Sequence, residues 1–223
     1  MKHLRILALF AFFSASSVFA TPSGLNSIPT ADTTPQGTVV LQAFTNFGSD
    51  NDTDLTLGFK TGLDLWGQKF EIGADSHITP GNGGPVVLQF KYQTPQLWEG
   101  AHLGVGIANL ALGNDFRNRA GDPFYYAVLS QDIAGLFRAH AGYGFQAHGN
   151  SVLLGLDKTL KVYDRELVLR TDAVQIQDQG QWMGSVGFLY ALHKNFVFES
   201  WASQPFDHGS AIFTAKLNLV FQF

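Results

Sequence analysis

Seven histidines, eighteen carboxylates and no cysteine bound the chemistry open to this chain of 223 residues. Acyl transfer by a hydroxyl needs a base within reach and a third group that orients the base. Only His208 has a serine two positions on, in His208-Gly209-Ser210, and that tripeptide stands in a loop near solvent instead of on a strand face. His102 and His140 fall on inward rows described below, whereas His77 and His148, like His208, fall in loops. Asp50, Asp52 and Asp54 have the spacing that opens a calcium loop, but Leu55 replaces the glycine on which such a loop turns, and Thr61 replaces the bidentate glutamate that closes it. They read as a solvated acidic loop. Gly104-Val105-Gly106 lies inside a strand-like segment and not between a strand and a helix, so it is no dinucleotide loop. Without cysteine there is no disulfide and no thiolate metal site. These residues lead to the expectation of no metal, no cofactor and no enzyme.

The elements that must position these side chains begin after an export signal. Lys2 and Arg5 precede an unbroken apolar run from Ile6 to Phe13, and Val18 and Ala20 occupy the small-residue positions of a signal-peptidase site. Residues 1–20 are therefore read as a cleaved signal peptide. The run is shorter than the ~20 residues of a membrane helix, and Ser14, Ser16 and Ser17 interrupt its end. The remaining 203 residues lose Lys2 and Arg5 and carry 12 basic against 18 acidic groups, a formal charge of −6 that argues against a nucleic-acid partner. No apolar run in them reaches the length of a membrane helix.

Strict alternation takes its place. Leu55, Leu57, Phe59, Thr61, Leu63 and Leu65 share one face, and Thr56, Gly58, Lys60, Gly62 and Asp64 the other. Phe70, Ile72 and Ala74 oppose Glu71, Gly73 and Asp75; Val86, Leu88, Phe90 and Tyr92 oppose Val87, Gln89, Lys91 and Gln93. Twelve such segments follow one another, near 38–47, 55–65, 69–77, 86–94, 101–111, 123–131, 137–146, 151–158, 166–174, 182–191, 195–203 and 211–223. Segments of about ten residues, even in number, with an apolar face that has no second apolar face to pack against, describe a transmembrane antiparallel up-and-down β-barrel over 38–223, in an outer membrane. The segments 38–47, 123–131 and 195–203 carry large apolar residues on both faces, which leaves ten or fourteen strands open. Gaps rich in Gly, Asn, Asp and Pro alternate with shorter ones, as outer loops do with periplasmic turns; Thr159–Arg165 is a long exception.

The last strand sets Phe213, Ala215, Leu217, Leu219, Phe221 and Phe223 in one lipid-facing row. It resembles the assembly signal of bacterial outer-membrane proteins, which implies capture by the β-barrel assembly machinery through edge pairing. Gly24-Leu25-Asn26-Ser27-Ile28-Pro29-Thr30-Ala31-Asp32, with Pro35-Gln36-Gly37, resembles the start of YjbH-like outer-membrane proteins, and that resemblance implies a link to exopolysaccharide production. Residues 21–37 hold Pro22, Pro29 and Pro35 and are expected to be extended. At ~3.1 Å per residue they could reach about 50 Å, more than the ~25 Å height of a barrel wall, so a periplasmic tail and a plug threading the lumen both stay open.

Twelve strands ~4.8 Å apart and tilted ~40° enclose a backbone diameter of about 24 Å, so what fills the lumen decides the function. The inward candidates are Lys60, Lys91, Arg138 and Arg170, with Lys216, against Glu71, Asp75, Asp157, Asp172 and Glu199, with Asp64; His102 and His140 join them. Five cations against six carboxylates give no single-sign track. Two functions stay open: a passive, porin-like channel or envelope component linked to surface polysaccharide, and a lipid hydrolase of the outer-membrane phospholipase or lipid A deacylase type. The expected partners are outer-membrane lipid and lipopolysaccharide, the assembly machinery and polysaccharide. Deleting Phe223 is expected to lower outer-membrane abundance, measured by fractionation and immunoblot; an unchanged level would remove the assembly-signal argument.

Overall fold

In a computed structural model, residues 23–48, 54–79, 82–111, 121–147, 149–176, 180–207 and 209–223 are described; the signal peptide, Asp50, Asp52, His148 and His208 lie outside them. The strands are β1 (Thr38–Phe47), β2 (Asp54–Leu65), β3 (Gln68–Thr79), β4 (Asn82–Gln93), β5 (Ala101–Ala111), β6 (Phe124–Ile133), β7 (Phe137–Gln146), β8 (Gly149–Val162), β9 (Arg165–Ile176), β10 (Gln181–His193), β11 (Phe196–Pro205) and β12 (Ile212–Gln222). Each pairs antiparallel with the next, and β1 pairs with β12, so the sheet closes as an all-β barrel of twelve strands. Closure is complete along the seam, where Thr38 faces Gln222 and Phe47 faces Phe213 with no break in register. A closed sheet leaves no row of unpaired amides at an edge, which is the condition for a sheet to stand in hydrocarbon.

Alternation sets the faces. Leu55, Leu57 and Phe59 are exposed on the outer wall while Thr56 is buried inside. On β12, Phe213, Leu217 and Leu219 point out, and Thr214, Lys216 and Asn218 are buried. Where both faces of a segment are apolar, the structure supplies the reason. Val40 and Phe44 on β1 and Tyr126 and Val128 on β6 are buried inside the barrel. Tyr126 and Val128 join Val87, Ala108, Ala111 and Leu153 in a small core completed by Leu25 and Ile28 of the N-terminal segment. The inner face is therefore partly apolar because it packs protein and not only water.

Thr159–Arg165 is corrected from loop to strand. β8 runs on to Val162, and a two-residue turn at Tyr163 (φ 49°) and Asp164 (φ 61°) leads straight into β9. Hairpins favour turns with both central residues at positive φ, a geometry usually announced by Asn-Gly or Asp-Gly; a Tyr-Asp pair carries no such signal. Trp66-Gly67 and Ala134-Gly135 adopt positive φ in the same way.

Residues 23–37 lie against the inner wall, and they are not extended throughout. The amide of Leu25 donates to the carbonyl of Ile28 (2.9 Å) and that of Thr30 to Ser23 (3.2 Å), making a compact turn with Asn26 and Ser27 at its tip. Proline removes a donor only at its own position, which leaves these amides free to fold back. Two glycines make room for the backbone. A Cβ at Gly104 would stand 2.7 Å from Ala31 Cα, and one at Gly62 would overlap the Thr34 carbonyl oxygen. Finally, Phe223 donates its amide to the Gly37 carbonyl (2.9 Å), tying the end of the chain to the start of β1.

Register makes a direct test. Leu57→Arg places a cation on the outer wall and is expected to destabilise by ~2–4 kcal/mol if that level is the bilayer midplane, whereas Thr56→Ser, on the inner face, is mild. Denaturant unfolding in lipid vesicles checks it, and equal effects would contradict the assignment of faces.

Candidate functional site

Charged inward side chains meet the N-terminal segment at four places, and the neutral Gln93, Ser130 and Ser185 bond it at others. Glu71 on β3 accepts the Ser23 amide (2.8 Å) and hydroxyl (2.5 Å) and the Thr34 amide (2.7 Å) and hydroxyl (2.8 Å). Lys91, opposite it on β4, donates to the carbonyls of Ser23 (2.6 Å), Thr30 (3.3 Å) and Asp32, and lies 3.8 Å from Glu71. Both side chains are 1% exposed, so burial is made tolerable by the pair and by backbone dipoles that satisfy each charge. Asp172 on β9 accepts the Asn26 (2.8 Å) and Ser27 (3.1 Å) amides at the tip of the turn. Arg138 on β7 holds the Asp32 carboxylate through both terminal nitrogens, Nη2 at 2.8 Å from Oδ1. Of the remaining inward candidates, Arg170 donates to Glu199 (2.7 Å), which also accepts from Asn218 (2.6 Å), and Asp75 accepts from Gln42 (2.6 Å). Lys60 points inward beside Gly62 and is half-buried.

Beside Arg138 stands an arrangement that no local motif announces. Ser130 on β6, His140 on β7 and Asp157 on β8 form a line across three adjacent strands. Ser130 Oγ is 2.7 Å from His140 Nδ1, and His140 Nε2 is 2.8 Å from Asp157 Oδ2. Ser130 is fully buried, and His140 nearly so. A carboxylate can only accept, so Nε2 carries the proton; with the ring neutral, Nδ1 is the acceptor and the Ser130 hydroxyl donates to it. Hydroxyl, base and orienting carboxylate are then in the order that a serine nucleophile requires, with the two ring nitrogens exchanged relative to the serine-protease arrangement. The Ala31 amide donates to Ser130 Oγ at 2.9 Å. His102 lies opposite Ser130 on β5, its Nδ1 buried and without a hydrogen-bond partner.

This relay corrects the expectation that the chain is no enzyme. Alternation puts His140 and Asp157 on inward rows, but Ser130 lies on β6, which is apolar on both faces, so the pattern assigns it no side. A His-x-Ser pattern along one strand could not find it. The signal lay in register: the Ala134-Gly135 turn sets Ile133 against Phe137 and therefore Ser130 against His140. The near-miss at Ser210 has its His208 outside the described residues. Among those residues, no group of three or more His, Asp or Glu side chains could hold a metal ion.

No family model and no curated protein matches the chain, so the N-terminal resemblance to YjbH-like proteins stands without support. Solved structures do match. A KdgM porin in complex with disordered oligogalacturonate superposes with a TM-score of 0.57 at 10% identity, over 82% of this chain and 99% of that one. An outer-membrane phospholipase dimer of Salmonella typhi with bound calcium gives 0.56 at 11%, over 81% and 90%. Outer-membrane phospholipase A from Escherichia coli gives 0.53 at 10%, over 81% and 92%. At such identities the likeness carries the fold and no more, and with the closed twelve-stranded wall it makes this chain an outer-membrane β-barrel.

Proposed function

We propose that the chain is an outer-membrane ester hydrolase whose nucleophile is Ser130, and the observation that carries this reading is the Ser130–His140–Asp157 relay. Attack of Ser130 Oγ on an ester carbonyl forms the Oγ–C bond as the hydroxyl proton passes to His140 Nδ1, and Asp157 stabilises the imidazolium through Nε2. The ester C–O bond then breaks, and the leaving alkoxide takes that proton. Water, deprotonated by the same nitrogen, releases the acyl group as a carboxylic acid and restores the hydroxyl. Arg138 projects from the same row as His140, two residues away, and its buried Nε has no hydrogen-bond partner, which makes it the donor suited to an oxyanion. Because the relay faces the lumen, its ester enters from a barrel end and not sideways from the bilayer. Ala31 sits on the nucleophile, so residues 23–37 hold the site closed until they shift.

A second reading, a channel closed by the same segment, is favoured by the four-point attachment through Glu71, Lys91, Asp172 and Arg138. Loosening it in the full chain with Lys91→Met would then raise single-channel conductance in planar bilayers.

For the hydrolase, Asp32→Ala frees Arg138 and is expected to raise hydrolysis of a short-chain p-nitrophenyl ester severalfold. Adding Ser130→Ala should abolish that gain and lower the rate by at least ~10². Hydrolysis indifferent to Ser130→Ala in folded protein would refute the assignment.

A further inference from the structure

Asp172 carries a charge that its surroundings leave unbalanced. It is 4% exposed, it has no ion pair among the described residues, and its partners across the ladder, Ser185 on β10 and Gly155 on β8, are neutral. Arg170, two residues along the same face, is the cation that acts on it, but that guanidinium is committed to Glu199 at 2.7 Å. The Asn26 and Ser27 amides satisfy Oδ2. Oδ1 is left without a hydrogen-bond partner, and so is Oδ1 of Asn26, a buried residue whose own amide lies 2.8 Å from the same carboxylate. The Ser185 hydroxyl also acts on the carboxylate, though its oxygen is engaged with those of Ser27 (2.7 Å) and Ser203 (2.8 Å).

Buried acceptor oxygens without a donor are costly, and on two hydrogen-bonded neighbours one shared cation can relieve both. Both oxygens are closed to water. A water needs about 2.8 Å to each acceptor, whereas a hard metal ion sits about 2.3–2.6 Å from its oxygens and fits a narrower gap. Ser27 is exposed, so the chain of Ser27 and Ser185 hydroxyls leads from lumen water to the carboxylate and supplies an entry path.

We infer that the tip of the inner turn is a binding site for a hard metal cation, with the Asp172 carboxylate as its charged ligand and the Asn26 side-chain oxygen and the Ser27 and Ser185 hydroxyls as neutral ligands. One carboxylate among neutral oxygens makes no cluster of His, Asp and Glu, so no such cluster marks the place. A single charged ligand sets an affinity on the order of millimolar. The cation fastens the turn to β9, and it does so whether or not the Ser130 relay turns over an ester.

The test is urea unfolding of the full chain in micelles of an uncharged detergent, with calcium chloride or sodium chloride exchanged for tetramethylammonium chloride at constant ionic strength. A midpoint that rises and saturates with calcium or with sodium is expected, as for a ligand that binds the native state alone, and either metal supports the site and identifies its charge. Asp172→Asn keeps an acceptor for the two amides and should abolish the rise. Asn26→Asp adds a charged ligand, leaves the backbone amide in place and should lower the half-saturating concentration ~10-fold, a gain that a merely structural Asn26 would not give. Glu99→Gln, exposed between β4 and β5, should leave the response unchanged. If Asp172→Asn does not fold, Asn26→Asp decides alone. A midpoint indifferent to both metals overturns the proposal and leaves Asp172 a carboxylic acid; so does a rise that survives Asp172→Asn, or one that Asn26→Asp does not shift.

Discussion

Everything in this molecule depends on the pairing of β1 with β12. An open sheet of this length would present unpaired amides to hydrocarbon, where each unsatisfied group costs several kcal/mol, so the barrel exists only if the first and last strands meet in register. They do so from Thr38–Gln222 to Phe47–Phe213. The amide of Phe223, one residue past that ladder, donates to the carbonyl of Gly37, one residue before it. The closing strand and the start of the inner segment are thus fixed by the same few residues, and what enters the lumen is anchored where the wall is sealed.

Closure at twelve strands leaves an interior narrow enough for long side chains from different strands to meet a single polypeptide segment. Charges turned inward cannot rely on bulk water. The structure answers with backbone: amides of Ser23, Asn26, Ser27 and Thr34 for carboxylates, and carbonyls of Ser23, Thr30 and Asp32 for Lys91. This explains how an inner face can hold nearly balanced charge without those charges pairing across the lumen. It also explains the apolar patch formed by Tyr126, Val128 and Leu153, which packs Leu25 and Ile28 and has no purpose in a water-filled pore.

The wall was legible in the sequence because alternation has a period of two, and a lipid-facing side is tested at every second residue. Leu55 to Leu65 and Phe213 to Phe223 gave the faces directly. What was not legible depends on partners far along the chain. The inward Val40, Phe44, Tyr126 and Val128 blurred the alternation since their packing partners come from other strands and from the N-terminal segment. The turn at Tyr163-Asp164 hid because residues without the usual turn preference adopt positive φ there. Ser130 hid for a third reason: its chemistry comes from residues 10 and 27 positions later, set beside it by strand register and by no local motif.

The central claim, that a serine nucleophile stands ready in the lumen beneath the N-terminal segment, is open to one direct measurement: covalent labelling of the folded full chain by a fluorophosphonate, with the modified residue identified by mass spectrometry. The account predicts a single adduct on Ser130, slow in the parent chain, faster in Asp32→Ala and lost in His140→Gln. Folded Asp32→Ala protein that takes no label on Ser130, or that takes it on a different serine, would contradict it.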